Sequence, residues 1–362
     1  MNPRRVQTTR PVPSRDSPSA RAFHRRLPGY ESRPLRAAPA IAARHGTGEL
    51  WIKDESARFG LPAFKILGAS WAAYRLLVDR LGTEPQWREL DELRRAFAPL
   101  GRLRFVAATD GNHGRAVARF AAWLCYDATI LVPRGTAAAR ISGIESEGAR
   151  VKIVDGTYDD AVARSATLAS DDSLVVSDTS WPGYTTVPER VIEGYATIAE
   201  EADEQLAGAP PDVVVVQSGV GALAAALVDH YAATSTIVVV EPTAAACGLA
   251  AARAGHPVAV PGPHDSIMAG LNCGTVSIVA WPRLESGVDA FVAIDDAAAE
   301  AAMRELAAIG IVAGETGAAG LAGLAALATA PHSPVDLAGA RVLVLCTEGA
   351  TDPEAYGRIV GP

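Results

Sequence analysis

The chain has 362 residues, of which 49% are hydrophobic and 20% are charged. This length suggests about two domains, and the hydrophobic content excludes a chain that is disordered throughout. The formal net charge of -8 argues against a general nucleic-acid-binding protein. We therefore expect a mildly acidic globular protein with a large buried core.

Residues 1–25 are rich in Arg, Ser and Pro and show almost no apolar periodicity, which predicts a flexible tail. A targeting or partner-binding segment is the alternative. No apolar secretory signal is visible, and the four cysteines lack the paired spacing of a zinc knuckle or a disulfide-rich domain. The longest uncharged stretch, residues 316–335, contains His and Pro and predicts a buried helix and turn rather than a membrane span. The expected location is therefore the cytoplasm.

Short apolar runs follow along the chain and are separated by amphipathic segments of helix length. The runs are rich in Val and Ile, and their continuous apolarity predicts strands that are buried on both faces of a parallel sheet. Because strands and helices alternate, the sequence predicts βαβ units and an open α/β sheet. The predicted strands are 105–108, 129–132, 151–154, 174–176, 213–216, 237–240 and 342–345, and the predicted helices are 68–81, 113–124, 187–206, 222–231 and 296–308.

The first candidate functional residue is Lys65, in the apolar segment Phe-Lys-Ile-Leu-Gly-Ala at 64–69. A lysine at the start of an apolar helix lies near the positive end of the helix dipole. This position disfavours the ammonium and favours a neutral, nucleophilic amine. The alternative is a solvated surface lysine, although a surface lysine rarely occurs inside an apolar run.

The second candidate segment is Thr-Asp-Gly-Asn-His-Gly at 109–114, between the predicted strand 105–108 and a helix. Ligands of α/β proteins gather at the carboxyl ends of strands. The glycines on both sides of Asn112 and His113 allow close approach of the backbone to a ligand. A turn that caps the following helix is the alternative.

The third candidate segment is Ser-Gly-Val-Gly-Ala-Leu at 218–223, directly after the predicted strand 213–216. Small residues that lead into a helix can bind a phosphate through free backbone N–H groups. A dinucleotide site is a rival interpretation, because Gly219, Gly221 and Ala224 fit its fingerprint and Glu241 falls where a ribose-binding acid is expected. A tight turn without a ligand is the third possibility.

The fourth candidate segment is Cys-Thr-Glu-Gly-Ala-Thr-Asp at 346–352, after the last predicted strand. Alone it is compatible with a plain loop. A nucleophilic lysine, a phosphate-binding turn and polar loops at strand ends are, however, what pyridoxal phosphate needs together. The pyridoxal interpretation therefore accounts for all four segments, whereas the nucleotide interpretation accounts for one.

These segments resemble the fold type II, tryptophan synthase β-like, pyridoxal-phosphate enzymes. Further segments resemble the diaminopropionate ammonia-lyase family in particular. They are Asp-Thr-Ser-Trp at 178–181 with Gly183-Tyr184, Gly194-Tyr195, and the stretches 268–274, 314–320 and 347–352. The resemblance extends from about Tyr30 to the end of the chain.

The resemblance implies a two-lobed α/β fold of open twisted sheets and a homodimer. The expected domains are a flexible tail at 1–25, a large pyridoxal-phosphate-binding domain at 26–85 and 190–362, and a small domain at 86–189. The expected substrate is a small amino acid. No metal, nucleic acid or membrane partner is expected.

The resemblance also implies roles in cofactor binding. Lys65 would carry pyridoxal 5'-phosphate as a Schiff base, Asn112 would bind the ring hydroxyl, and Thr347 would face the ring nitrogen. The phosphate would lie against the backbone of Ser218, Gly219, Val220, Gly221, Ala222 and Leu223.

Four acidic or polar positions are implied near the substrate. Asp110 would be the base on the ring face opposite Lys65, although an N-cap for the next helix is the alternative. Asp178 would lie near the distal amine of the substrate, where a carboxylate favours a cation. Thr109 and His113 are also expected to bind substrate, and filling the loop is an equal alternative for His113.

The expected reaction is the α,β-elimination of 2,3-diaminopropionate to pyruvate and ammonia. The alternatives are a threonine or serine ammonia-lyase, a β-replacement synthase of the same fold, and a catalytically silent binding protein. One position departs from the family, whose members commonly have Asp where this chain has Ala350. Cys247 and Cys273 match positions where the family can carry a disulfide, whereas a reducing cytoplasm favours free thiols.

Overall fold

Ten strands and fourteen α-helices occur in the residues that the computed structural model describes, 19–109 and 111–361. The strands are β1 (Leu35–Ala37), β2 (Glu49–Asp54), β3 (Arg104–Ala108), β4 (Asp127–Pro133), β5 (Arg150–Val154), β6 (Ser173–Val175), β7 (Val213–Gln217), β8 (Thr236–Pro242), β9 (Ala290–Ile294) and β10 (Arg341–Cys346). The helices are α1 (Ala20–His24), α2 (Pro39–His45), α3 (Ile66–Leu81), α4 (Leu90–Phe97), α5 (Asn112–Trp123), α6 (Ala138–Glu145), α7 (Tyr158–Ala166), α8 (Thr186–Gln205), α9 (Ala222–Tyr231), α10 (Cys247–Ala254), α11 (Trp281–Gly287), α12 (Asp296–Ala307), α13 (Glu315–Thr329) and α14 (Pro353–Val360).

The strands form two sheets. The six-stranded sheet has the order β1-β2-β10-β7-β8-β9, and the four-stranded sheet has the order β5-β4-β3-β6. Every neighbouring pair is parallel except β1 and β2. The predicted α/β class is confirmed, and all seven predicted strands are present. The sequence did not predict β1, β2 and β9.

The five predicted helices are α3, α5, α8, α9 and α12, and each agrees with its prediction to within two residues at either end. The predicted buried helix and turn at 316–335 is also confirmed, because α13 begins at Glu315 and is buried along most of its length. Within the part of the chain that the structure describes, the helices are too short or too polar to cross a bilayer.

The described residues divide into two compact units. The larger unit contains Ser32–Ala57 and residues 198–361, with the six-stranded sheet. The smaller unit contains residues 19–31 and Arg58–Thr197, apart from Asp110, with the four-stranded sheet. The predicted large domain also included residues 26–31, 58–85 and 190–197, which here group with the smaller unit.

An aromatic cluster explains why α1 and α3 belong to the smaller unit. The Phe23 ring of α1 is stacked on Tyr74 of α3 at a centroid distance of 4.5 Å and lies 6.2 Å from the Phe120 ring of α5. All three side chains are completely buried. The predicted tail therefore gives way to an ordered helix before residue 25, whereas residues 1–18 lie outside the described residues. Nothing in the apolar periodicity of 1–25 could reveal this, because the packing partners are more than fifty residues away.

Two glycines allow α3 and α8 to approach closely. A Cβ atom on Gly68 would lie 2.6 Å from Cε1 of Tyr195, and one on Gly194 would lie 2.5 Å from the carbonyl oxygen of Leu67. A larger residue at Gly194 would require a backbone shift, and one at Gly68 would displace the buried Tyr195 ring. The close approach fixes the first turn of α3 and thus the position of Lys65 just before it.

A buried ion pair stabilises the larger unit. Lys53 on β2 donates from Nζ to Oε2 of Glu201 at 2.8 Å, to the carbonyl oxygen of Arg33 at 2.7 Å and to Oε1 of Gln205 at 3.0 Å. The side chains of Lys53 and Glu201 are 0% exposed. Because a buried charge is tolerated only when it is paired, β2, the segment before β1 and α8 depend on one another here.

Lys53→Met is expected to lower the free energy of unfolding by about 3–5 kcal/mol, because it removes the cation from a buried carboxylate. Urea denaturation followed by circular dichroism measures the change. Glu300→Gln is the control, since it breaks an exposed pair with Arg304 on α12 and should leave the stability nearly unchanged. Equal unfolding midpoints for the two variants would contradict a stabilising role of the Lys53 pair.

Candidate active site

Lys65 occupies the N-cap position of α3, and its side chain is 19% exposed. Its Nζ atom donates a hydrogen bond to Oδ2 of Asp178 at 2.6 Å. The positive end of the α3 dipole disfavours an ammonium at this position, and the carboxylate offsets that effect. The sequence placed Lys65 at the start of an apolar helix, and the structure agrees.

Asp178 lies three residues after β6, at the carboxyl end of the strand, and is buried. Its Oδ1 atom accepts a hydrogen bond from the Tyr158 hydroxyl at 3.1 Å. Burial alone would raise the pKa of this carboxyl. The charges of His113 and Lys65, with the hydrogen bonds from Lys65 and Tyr158, instead hold the pKa well below its usual range. Asp178 is therefore an anion throughout the neutral pH range.

His113 contributes one ring nitrogen to the group that it forms with Lys65, Asp178 and Tyr158, here called the Lys65 cluster. Its Nε2 atom lies 2.8 Å from the carbonyl oxygen of Val176, and a carbonyl only accepts, so Nε2 carries a proton. The Nδ1 atom is buried without a hydrogen-bond partner among the described residues, 3.8 Å from Oδ2 of Asp178. Nδ1 is therefore the ring nitrogen that remains for a hydrogen bond to an incoming group beside Lys65.

The other residues of the loop at 109–114 take different places. The Thr109 side chain is buried, and its Oγ1 atom accepts hydrogen bonds from the N–H groups of Gly111 at 2.8 Å and Gly114 at 3.0 Å. Its oxygen is thus engaged by the loop itself. Asn112 is the first residue of α5 and is partly buried. Asp110 lies outside the described residues.

The glycine-containing turn at 218–221 lies between β7 and α9 in the larger unit. Gly221 has a φ of +98°, which favours glycine. A Cβ atom on Gly219 would lie 2.9 Å from the carbonyl oxygen of Gly270. Both positions therefore require glycine, and the following residues Val220, Ala222 and Leu223 are small or apolar and buried. A bare backbone before the N-terminus of a ten-residue helix fits a phosphate group.

Gln217, the last residue of β7, is a site residue that the sequence analysis missed. Its Nε2 atom donates to Oγ1 of Thr347 and to the carbonyl oxygen of Thr316, both at 2.8 Å. The amide is completely surrounded by protein, and its Oε1 atom has no hydrogen-bond partner among the described residues. The amide therefore positions the Thr347 hydroxyl. A polar residue that ends an apolar strand directly before the glycine turn was the signal available in the sequence.

Glu241 is not available for the ribose of a dinucleotide. Its Oε1 and Oε2 atoms accept hydrogen bonds from the N–H groups of Gly248 at 2.7 Å and Leu249 at 2.8 Å, at the start of α10. The side chain is buried. Because both oxygens are used by the helix terminus, the structure disfavours the nucleotide interpretation of the glycine turn.

Cys247 is a free thiol, with its Sγ atom 3.5 Å from the carbonyl oxygen of Gly219 and 3.8 Å from Oε1 of Glu241. Burial, and next the charge of Glu241, raise the pKa of the thiol well above its ordinary value. The thiol therefore stays protonated and can donate weakly to the glycine turn. The sequence left open whether Cys247 is a free thiol or part of a disulfide, and in the structure it is a free thiol.

Comparison with known proteins assigns the family. A model of the pyridoxal-phosphate dependent enzymes matches residues 27–348. The chain belongs to this family, and the predicted pyridoxal-phosphate cofactor is confirmed. The glycine turn, which a Cβ atom would obstruct, and the orphaned Nδ1 atom of His113 beside Lys65 fit the demands of that cofactor.

Diaminopropionate ammonia-lyases are among the relatives that resemble this chain along most of its length. The enzyme of Salmonella typhimurium is 37% identical over 94% of this chain and 90% of its own length. The structure of diaminopropionate ammonia-lyase from Escherichia coli in complex with D-serine gives a TM-score of 0.87 at 35% identity, over 94% of this chain and 90% of that chain. Its complex with an aminoacrylate-PLP azomethine reaction intermediate gives 0.84 at 36% identity, with the same coverage. The resemblance predicted from the sequence is confirmed.

The pKa of Glu241 generates a testable prediction about stability and pH. Burial raises this pKa from 4.5 to about 7, despite the two backbone hydrogen bonds that lower it. Between these values the folded protein keeps a proton that the unfolded chain has released, so stability falls as pH rises through this window. At 1.36 kcal/mol per pH unit the loss is about 3 kcal/mol.

Urea denaturation at pH 5 and pH 8 checks this prediction with Glu241→Gln, whose side chain stays neutral. The wild type should lose about 3 kcal/mol more than Glu241→Gln between the two pH values. The same pH dependence in both proteins would show that Glu241 does not titrate in this range.

Proposed function

We propose that the protein is a pyridoxal-phosphate-dependent lyase that converts 2,3-diaminopropionate to pyruvate and ammonia by α,β-elimination. The observation that carries the proposal is the ionised, buried carboxylate of Asp178 at 2.6 Å from the Lys65 amine. Diaminopropionate differs from serine and threonine by a second ammonium, and a buried anion attracts that group much more strongly than a hydroxyl. Similarity to diaminopropionate ammonia-lyases along nearly the whole chain supports the same substrate.

The following residues would hold the cofactor. Lys65 supplies the amine for covalent attachment, Asn112 meets the ring hydroxyl, and Thr347 meets the ring nitrogen with a neutral hydroxyl. The phosphate would lie against the backbone from Ser218 to Leu223. When bound, the cofactor withdraws electrons from the Cα atom of an amino acid and so makes its proton acidic.

The side chains of the smaller unit then move protons and orient the substrate. Once the α-amine of the substrate takes its place, the free Lys65 amine accepts the Cα proton. Asp178 attracts the distal ammonium, which leaves as ammonia with the electron pair of the broken C–N bond. The Nδ1 atom of His113 forms a hydrogen bond with the substrate, and Thr109 binds the N–H groups of Gly111 and Gly114 and so holds the loop. Water hydrolyses the released enamine to pyruvate and a second ammonia.

Three accompanying proposals concern Asp110, the location and oligomeric state of the enzyme, and Ala350. We propose Asp110 as the base on the opposite face, which would allow both enantiomers to react, on the resemblance alone. A cytoplasmic homodimer is likewise expected from the family. Ala350, which lies in the same segment as Thr347, is the position where substrate preference would differ from that of relatives with Asp.

The purified holoenzyme is expected to form one pyruvate and two ammonia per diaminopropionate consumed. Turnover of serine or threonine to a 2-oxoacid should be at least about tenfold less efficient in kcat/KM, because the Asp178 anion gains nothing from a neutral hydroxyl. Pyruvate is measured by coupled reduction and ammonia in parallel, with each enantiomer of diaminopropionate.

The competing functions give different results in the same assay. A threonine or serine ammonia-lyase would prefer the hydroxy amino acids, and a β-replacement synthase would release pyruvate only slowly without an added nucleophile. A catalytically silent protein would form no 2-oxoacid from any of these substrates. Each of these three outcomes would contradict the proposal.

A further inference from the structure

The Tyr184 hydroxyl makes two hydrogen bonds to the backbone of the segment that directly precedes Asp178. It donates a hydrogen bond to the carbonyl oxygen of Val175 at 2.8 Å and accepts one from the N–H group of Ser177 at 3.1 Å. Burial raises the pKa of the Tyr184 hydroxyl, so it remains protonated and able to donate. One hydroxyl therefore bridges the last residue of β6 and the residue next to Asp178.

Val176, which lies between Val175 and Ser177, is bound by residues other than Tyr184. The N–H group of Val176 donates to the carbonyl oxygen of Val106 on β3 at 2.8 Å, and its own carbonyl oxygen lies 2.8 Å from Nε2 of His113. Val176 and Ser177 are buried. Each of the four backbone groups named here has a hydrogen-bond partner. Val106 and His113 bind Val176, whereas the Tyr184 hydroxyl binds both Val175 and Ser177.

The Tyr184 ring is itself fixed by Trp181. The two rings are stacked at a centroid distance of 4.1 Å and an interplanar angle of 9°. The backbones of the two residues exchange hydrogen bonds of 2.9 Å and 3.3 Å across a turn in which Gly183 has a φ of +87°. Such a stacked pair leaves little rotational freedom for the tyrosine. The turn thus acts as a rigid support for the hydroxyl.

We propose that Tyr184 is a positioning residue for Asp178: its hydroxyl fixes the segment 175–177 and thereby the place of the Asp178 carboxylate against the Lys65 amine. The inference rests on the proposed function, in which that carboxylate faces the distal ammonium. It adds a residue that touches neither substrate nor cofactor. Misplacement of a reacting group by about 1 Å can cost about 100-fold in rate, so a partial loosening is measurable.

The test is Tyr184→Phe, which removes one oxygen atom and keeps the stacked ring. Tyr126→Phe is the matched control, because Tyr126 donates its hydroxyl hydrogen to the carbonyl oxygen of Phe97 in the same unit, away from the Lys65 cluster. Two quantities are measured for each variant: the hydrogen–deuterium exchange rate of the Ser177 amide, and the turnover of diaminopropionate. Turnover is expressed as kcat per bound cofactor, so that a lower amount of folded or loaded enzyme does not count.

In Tyr184→Phe, exchange at Ser177 is expected to rise about tenfold or more, because the amide loses its acceptor. The kcat for diaminopropionate per bound cofactor should fall about tenfold, with KM changed by less than about threefold, because ionised Asp178 still attracts the substrate. Tyr126→Phe should match the wild type in both. Trp181→Leu should change both readouts in the same direction but less, because the hydroxyl remains while its support is lost.

A kcat equal to that of Tyr126→Phe, or unchanged exchange at Ser177, would overturn the positioning role while leaving the proposed function intact. A wild-type holoenzyme that does not convert diaminopropionate would overturn the proposed function, and the exchange measurement would still report whether the hydroxyl holds the segment.

Discussion

The contact between the Lys65 amine and the Asp178 carboxylate is the constraint on which the account depends. A buried anion needs a cation or several hydrogen-bond donors, and Asp178 has Lys65, the Tyr158 hydroxyl and the nearby His113 ring. The start of α3 is held in place by the close approach of Gly68 to α8. The packing of α3 against α8 thus fixes the Lys65 amine, and the segment after β6 fixes its counter-ion Asp178.

The glycine turn of the larger unit offers backbone N–H groups, rather than side chains, for binding a phosphate. Gly221 adopts a left-handed conformation, and Gly219 has no room for a Cβ atom beside Gly270. Gln217 connects this turn to Thr347 through a buried amide. The larger unit thus offers a set of backbone N–H groups and one hydroxyl.

The sequence predicted those features whose causes are local. Seven strands were visible as continuous apolar runs, and the glycine turn as small residues after a strand. The strand β2 was hidden because Lys53 lies within it, and its partner Glu201 is 148 residues away. Gln217 and Tyr158 were missed for the same reason: their importance arises from contacts made by folding. Helix α1 also escaped prediction, because it depends on the Phe23 ring, whose partners Tyr74 and Phe120 meet it only in the folded chain.

Reduction of the holoenzyme with borohydride, followed by peptide mapping, shows directly which lysine carries the cofactor. The chain contains only Lys53, Lys65 and Lys152, so the assignment is unambiguous. Lys53 is buried in its ion pair and Lys152 is exposed on β5. The account predicts one stable pyridoxyl label per chain, on Lys65. A label on either of the other lysines, or none at all, would contradict it.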